Sequence, residues 1–233
     1  MTYSKTLLLI DANSLIHRAF HALPPLTTSM GEPGQALYGV SSALLKLWRT
    51  ERPTHAAALF DRPEPTFRKK MYAAYKATRP PAAEGLIEQI ISSHDLFPHF
   101  GVKVFEKAGF EADDLIAAFA KRFVGEDDVR VVILTGDLDT LQLVQGDKLV
   151  VRVFKQGISS TMTYDEPAVR ERYGLEPNQL ADYKALVGDT SDNVKGVSGV
   201  GPKTAVELLT RFGTLESMYE HIHEDERLAR QAV

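Results

Sequence analysis

The chain has 233 residues, 44% of them hydrophobic and 25% charged, with no cysteine. That is enough for one sizeable core plus a smaller appended unit, and it excludes a disordered chain, disulfides and thiolate metal sites. The formal charge of −4 argues against a polyanion partner only until the acids are located, because outside a set of nine described below the 27 lysines and arginines outnumber the remaining acids.

The apolar run over residues 7–10 is too short for a signal-peptide core and no stretch is long enough to span a bilayer, so a cytoplasmic monomer is expected, with no membrane partner. Apolar runs of strand length alternate with stretches of helical period, the pattern of a parallel sheet covered by helices. Strands are predicted at residues 6–10, 55–60, 102–105, 129–134 and 149–154, and helices at 14–22, 37–51, 86–100 and 112–123. Past Tyr164 only helices are predicted, at 166–173, 178–187, 202–212 and from 215 onward. The expected organisation is an α/β core over residues 1–165, including a basic segment at about 62–85, and a helical unit over 166–233. The last ten residues keep helical character to Val233 without a stop signal, so a fragment or a shortened form is expected.

Two segments break the alternation. Residues 62–79, RPEPTFRKKMYAAYKATR, carry Arg62, Arg68, Lys69, Lys70, Lys76 and Arg79 against one acid, Glu64, with Phe67, Tyr72 and Tyr75 interleaved. By itself such a run reads as a solvated charged face. The other is GVSGVGPK, residues 196–203, which taken alone is a glycine-rich helix connection.

Asp11, Asp61 and Asp137 each follow a predicted strand, and the carboxyl edge of an open parallel sheet is where ligands bind. Glu111, Asp113 and Asp114 open a predicted helix, Asp139 follows Asp137 by two, and Asp189 and Asp192 close another helix. Each acid has a plain structural reading as a helix cap or a turn residue. Their convergence would change that. Two carboxylates about 5 Å apart repel by roughly 3 kcal/mol at an effective dielectric near 20. Hard cations relieve the conflict, and a donor set of oxygens alone suits magnesium or manganese. Two such ions about 4 Å apart serve phosphoryl transfer by activating water and clamping oxygens, with no protein nucleophile.

The strings LLLIDANSLIHRAF, ALFDRPEPTFRKKMYAAYKATRPP, GFEADDLIAAFA, ILTGDLDTLQLV and LVGDTSDNVKGVSGVGPKTA, in this order, resemble the 5′ nuclease family, most closely the 5′-to-3′ exonuclease domain of bacterial DNA polymerase I and its free-standing relatives. The resemblance implies an α/β, PIN-like or Rossmann-like parallel-sheet core, a helical arch and a helix-three-turn-helix unit. It implies that Asp11, Asp61, Glu111 and Asp113 supply one metal position with Asp114 close by, and that Asp137, Asp139 and Asp192 supply a second with Asp189 in its outer shell. It also implies that Arg68, Lys76 and Arg79 of the arch grip the scissile phosphate. Lys69 and Lys70 would join them in holding DNA, and Tyr75 would stack on unpaired bases while Tyr72 packs inside the arch. Gly199, Gly201, Lys203 and Thr204 of the hairpin would hold duplex backbone, with a potassium ion at 196–201. The implied substrate is DNA with 5′ ends, flaps or single-strand/duplex junctions, in replication and repair, with a DNA polymerase fused or separate. One departure is Leu138, where the family usually has a lysine, followed by Thr140 after Asp139; an altered rate is expected.

The rival readings are a non-catalytic DNA-junction binder, which would not need nine acids, and an RNA-cutting nuclease of related fold, which would not need the hairpin. A haloacid-dehalogenase-like phosphatase fits worse, because Asp11 is followed by Ala12 and Asn13 rather than by a second aspartate two residues on.

Overall fold

The computed structural model describes residues 3–221 except 84 and 159. The sequence-predicted helix over the last ten residues lies outside the described residues. The chain divides into two compact units, one of residues 1–67 with 81–165 and one of residues 68–80 with 166–233. Residues 68–80 of the basic segment, expected within the α/β core, thus fall in the helical unit.

The first unit is a six-stranded sheet in the order β3-β2-β1-β4-β5-β6. Strands β1 (Lys5–Asp11), β2 (His55–Phe60), β3 (Lys103–Glu106), β4 (Val129–Thr135) and β5 (Leu149–Gln156) run parallel, and β6 (Ser160–Tyr164) returns antiparallel to β5. Strands β1 and β4 are continuous apolar runs because both faces are covered. Leu8, Ile10, Ala58, Phe60, Val132 and Leu134 point into a core made with helices α1 (Ala12–Ala22), α2 (Gln35–Thr50) and α4 (Leu86–His99). Their neighbours Leu9, Leu59, Val131 and Ile133 are equally buried on the opposite face, the side of α5 (Ala112–Val124). The strand β6 had no sequence signal: STMTY is short and half polar, which suits an edge strand open to solvent on one side.

Helix α2 begins deep in this core, where its unpaired N–H groups need partners. Gln89 of α4, only 1% exposed, accepts from the Ala36 N–H at 2.7 Å and donates to Gly85 O at 3.2 Å.

The short helix α3 (Phe67–Met71) leads into the second unit, and the segment after it is not the helical arch expected. Residues 73–78 form successive turns, with Tyr75 N–H donating to Tyr72 O and Ala77 N–H to Ala74 O. Lys76 takes a left-handed φ of 53° and Pro80 and Pro81 follow, and neither allows a helix to continue.

The rest of the second unit holds α6 (Glu166–Tyr173), α7 (Leu180–Val187), α8 (Pro202–Phe212) and α9 (Leu215–Glu220). The two-residue strands β7 (Gly188–Asp189) and β8 (Val194–Lys195) pair antiparallel between α7 and α8. A Cβ on Gly188, at φ 84°, would stand 2.4 Å from Gly196 N, so glycine is required where these strands touch.

Replacing Gln89 with leucine should strand the buried Ala36 N–H and cost about 1–3 kcal/mol. Urea unfolding checks this, with an unchanged midpoint as the contrary result.

Candidate metal centre and nucleic-acid interface

The sheet order places the chain's change of direction at β1: successive strands run outward through β2 and β3, then restart on the other side with β4. Ligands in open α/β sheets bind at this switch point, beyond the carboxyl ends of the strands. Asp11 is the last residue of β1, Asp61 the first after β2, and Asp137 the second after β4. Three adjacent parallel strands, about 4.8 Å apart, therefore each deliver an aspartate to one edge.

Hydrogen bonds tie these acids together. Asp11 is 6% exposed and caps α1, its Oδ1 accepting from Ser14 N–H at 3.0 Å. Its Oδ2 accepts from the Thr135 hydroxyl at 2.7 Å, and the same Thr135 oxygen accepts from Asp137 N–H at 2.9 Å. Asp137 Oδ1 in turn accepts from Asp139 N–H at 2.9 Å, opening the 3-10 turn Leu138–Leu143. Asp61 N–H donates to Asn13 Oδ1 at 3.1 Å, and Asp61 Oδ1 accepts from Ala112 N–H at 2.7 Å, which ties the end of β2 to the start of α5.

At that start Glu111 and Asp114 form a capping box, Asp114 Oδ2 accepting from Glu111 N–H at 2.9 Å. Glu111 is 8% exposed and takes a further bond from the Thr66 hydroxyl at 3.1 Å; Asp113 is half-buried in the same turn. The structural reading of Glu111 and Asp114 as caps therefore holds alongside any other role. Thr140 is buried and its hydroxyl donates to Asp137 O at 2.9 Å, so this departure from the family pattern supports the turn that carries Asp137 and Asp139.

Among the described residues, no group of three or more His, Asp or Glu side chains stands close enough together to hold an ion as it is placed. The carboxylates point instead at hydrogen-bond donors. Those engaging Asp11, Asp61 and Asp137 are neutral N–H and O–H groups, which do not cancel charge. The electrostatic consequence is visible at Asp11. Burial first, and then the charges of Asp61 and Asp137, hold its carboxyl up to about 6 against bonds from Thr135 and Ser14 that lower it. Uncancelled negative charge on hard oxygen donors fits a divalent cation of the magnesium or manganese type.

The supporting polar residues Asn13, Thr66 and Thr135 were not singled out in the sequence, whereas Ser14 is placed there at the first turn of a helix. Asn13 and Ser14 follow Asp11 and Ala12, and polar side chains between a buried strand and an apolar helix were the signal available. Gly136 completes the edge: its N–H donates to Ser14 Oγ at 2.8 Å, and a Cβ there would stand 2.6 Å from that oxygen.

In the second unit the two remaining acids are engaged by cations. Asp189 accepts from Lys184 Nζ at 2.6 Å and from Ser191. Burial works upward on its carboxyl, but the bonds from Lys184 and Ser191, the Lys184 charge and the Asp192 N–H prevail and bring it down to about 2. Asp192 Oδ1 accepts from Arg79 Nη2 at 2.7 Å. Thus a predicted metal ligand is paired here with a predicted phosphate contact.

Other basic residues are similarly employed. Arg62 forms a bidentate pair with Glu64 and a further bond with Glu106, so it adds little net charge. Lys69 Nζ donates to Tyr75 O at 3.0 Å, which gives it a bracing role; Lys70 is exposed and Arg68 half-buried. The two tyrosines differ in exposure from what the sequence suggests. Tyr75, expected to stack on bases, is 8% exposed with Lys76 Nζ over its ring at 5.0 Å, while Tyr72, expected to pack, is 43% exposed. The turn conformation after α3 accounts for the difference, since helical spacing does not apply to it.

In the hairpin, Gly199 at φ 79°, Gly201 and Lys203 are exposed and Thr204 is half-buried. Gly201 is the N-cap of α8 and Pro202 its first residue, which leaves the opening N–H groups without a side-chain cap.

Acids at the switch point of a parallel sheet, and a glycine hairpin between helices in a second unit, define a hydrolytic nuclease of α/β type. The family model of the 5′-3′ exonuclease N-terminal resolvase-like domain matches residues 6–174, and that of the 5′-3′ exonuclease C-terminal SAM fold matches residues 175–232. The chain belongs to the 5′-3′ exonuclease family. It is 40% identical over 217 residues to a 5′-3′ exonuclease of Aquifex aeolicus, covering 93% of this chain and 73% of that protein. It is also 40% identical over 224 residues to DNA polymerase I of Bacillus subtilis, covering 96% of this chain but only 25% of the polymerase.

Among solved structures, the fold is that of the bacteriophage T5 5′-exonuclease with divalent zinc ions bound, at TM-score 0.74 and 23% identity, over 94% of this chain and 79% of that one. It is also that of human GEN1 in complex with Holliday junction DNA, at TM-score 0.60 and 17% identity, over 99% of this chain and 56% of that one. Among the described residues no helix is long and apolar enough to cross a membrane.

Because Asp11 is held up to about 6, ionising it costs the metal-free fold stability as pH rises from about 4 through 6, by roughly 3 kcal/mol once fully charged. Asp11→Asn should therefore raise the melting midpoint in chelator at pH 8 by several degrees, with the advantage vanishing near pH 4. An equal advantage at both pH values would contradict the shift.

Proposed function

We propose that this chain is a divalent-metal-dependent, structure-specific 5′ nuclease that hydrolyses DNA phosphodiester bonds from 5′ ends and at flap junctions. The observation that carries it is the delivery of Asp61, Asp11 and Asp137 by three adjacent parallel strands to one edge, where neutral N–H and O–H groups donate to them. Asp11, Asp61, Glu111, Asp113, Asp114, Asp137 and Asp139 are the residues of the first unit that would hold magnesium or manganese. The ions, when bound, supply Lewis acidity toward phosphoryl oxygens and a more acidic water. For Asp189 and Asp192 the metal role rests on the family resemblance alone, since both are paired with cations.

The protein's own contribution is orientation and charge. Thr135, Ser14 and Asn13 brace the ends of the strands that carry the aspartates. Lys76 and Arg79, with Arg68, would hold the scissile phosphate and offset charge that develops on it. Gly199, Gly201, Lys203 and Thr204 would hold the duplex by its backbone, through exposed N–H groups and one lysine, with potassium at 196–201. Such contacts read shape and leave base edges unread. A DNA polymerase, fused or separate, is the proposed working partner, in line with the polymerase relatives.

A 5′-labelled flap duplex should be cut in magnesium or manganese and stay intact in chelator, and Asp137→Asn should abolish cutting while DNA binding persists or tightens. Equal cutting in chelator, or wild-type cutting by the variant, would overturn the metal reading. Lys203→Ala should weaken duplex binding equally for all sequences and reduce its salt dependence by about one phosphate contact. A changed base preference would indicate direct readout instead.

A further inference from the structure

Asn193 belongs to none of the roles above, yet it sits where the turn segment of residues 72–79 is fastened. Its Nδ2 donates to Ala74 O at 2.9 Å, and its own carbonyl accepts from the Tyr72 hydroxyl at 3.3 Å. Next to it, Asp192 O accepts from Lys76 N–H at 2.9 Å, and the Asp192 carboxylate takes Arg79. Both residues at this junction that carry the polar bonds, Asn193 at φ 58° and Lys76 at φ 53°, are in the left-handed region. Asparagine is among the few residues that adopt it readily, whereas lysine does so only when its surroundings impose it.

The consequence is geometric. Fixing Ala74 through its carbonyl and Lys76 through its N–H leaves the residue between them, Tyr75, buried and sets the direction of the turn that ends at Arg79.

We propose that Asn193 is a positioning residue for cleavage, whose side-chain amide holds the 72–79 turn in the register that presents Lys76 and Arg79 to the scissile phosphate. This rests on the phosphate-holding role given to those two residues under Proposed function. Asn193 itself touches no substrate. Its amide supplies a side-chain bond to the turn that carries no charge, so it persists whatever ionic partners Arg79 and Asp192 take.

Two variants separate the amide from the backbone. Asn193→Gly keeps the left-handed φ and removes the amide; Asn193→Asp keeps the shape and turns the donor into an acceptor facing Ala74 O. Both should lower the single-turnover cleavage rate on a 5′-flap duplex at least tenfold at saturation, with KM changed less than threefold. In both, the Lys76 amide should exchange with deuterium faster than in wild type, while blunt-duplex binding stays within twofold. In a Lys76→Ala background, Asn193→Asp should add no more than a further twofold loss, because the two act through one contact. Wild-type cutting by Asn193→Gly with a protected Lys76 amide would overturn the proposal, as would a loss that multiplies with that of Lys76→Ala. Wild-type cutting by Lys76→Ala itself would overturn the phosphate reading beneath it.

Discussion

Like charges brought to one edge of a parallel sheet, with Asp11 among them buried, are the constraint on which the rest depends. A parallel sheet spaces its strands at about 4.8 Å and points their carboxyl ends the same way. When three neighbouring strands, β2, β1 and β4, each end on an aspartate, the acids cannot retreat from one another without unpairing the sheet. The apolar core beneath makes that prohibitive, since each buried leucine or isoleucine contributes about 1.5–3 kcal/mol. The fold thus imposes the conflict, and the elevated carboxyl of Asp11, raised first by burial and further by the charges of Asp61 and Asp137, carries its mark.

Without an ion, the structure manages this conflict with dipoles. Asp11, Glu111 and Asp137 sit at the N-terminal ends of helical turns, where partial positive charge favours a carboxylate, and Asp114 completes a capping box. Caps and candidate ligands are therefore the same residues, and both oxygens of Asp11 already accept hydrogen bonds. The second unit follows a different rule, in which Asp189 and Asp192 are matched by Lys184 and Arg79.

Much of this was legible in the sequence because it follows from periodicity. The β2 strand and helices α6 and α8 fall where the apolar pattern puts them, and the strand-end aspartates follow once the strands are drawn. Strand β6 was not legible, because an exposed edge imposes little pattern. The 72–79 turn misled because YAAYK has helical spacing, whereas Pro80, Pro81 and the left-handed Lys76 impose turns and set the exposure of Tyr72 and Tyr75. Long-range partners were also invisible: nothing in the local sequence couples Arg79 to Asp192, Gln89 to Ala36 or Asn193 to Ala74. The acids were found because their chemistry is collective, and their supports Asn13 and Thr135 were overlooked because each is ordinary alone.

The most direct test of the central claim is the proton balance of metal binding. Calorimetric titration of manganese into the protein at pH 6, in two buffers of different ionisation enthalpy, should show about half a proton released per site, as the ion drives Asp11 to its carboxylate. Asp11→Asn should abolish that release. Manganese binding without proton release, or no binding at millimolar metal, would contradict the assignment of this acidic edge as an ion site.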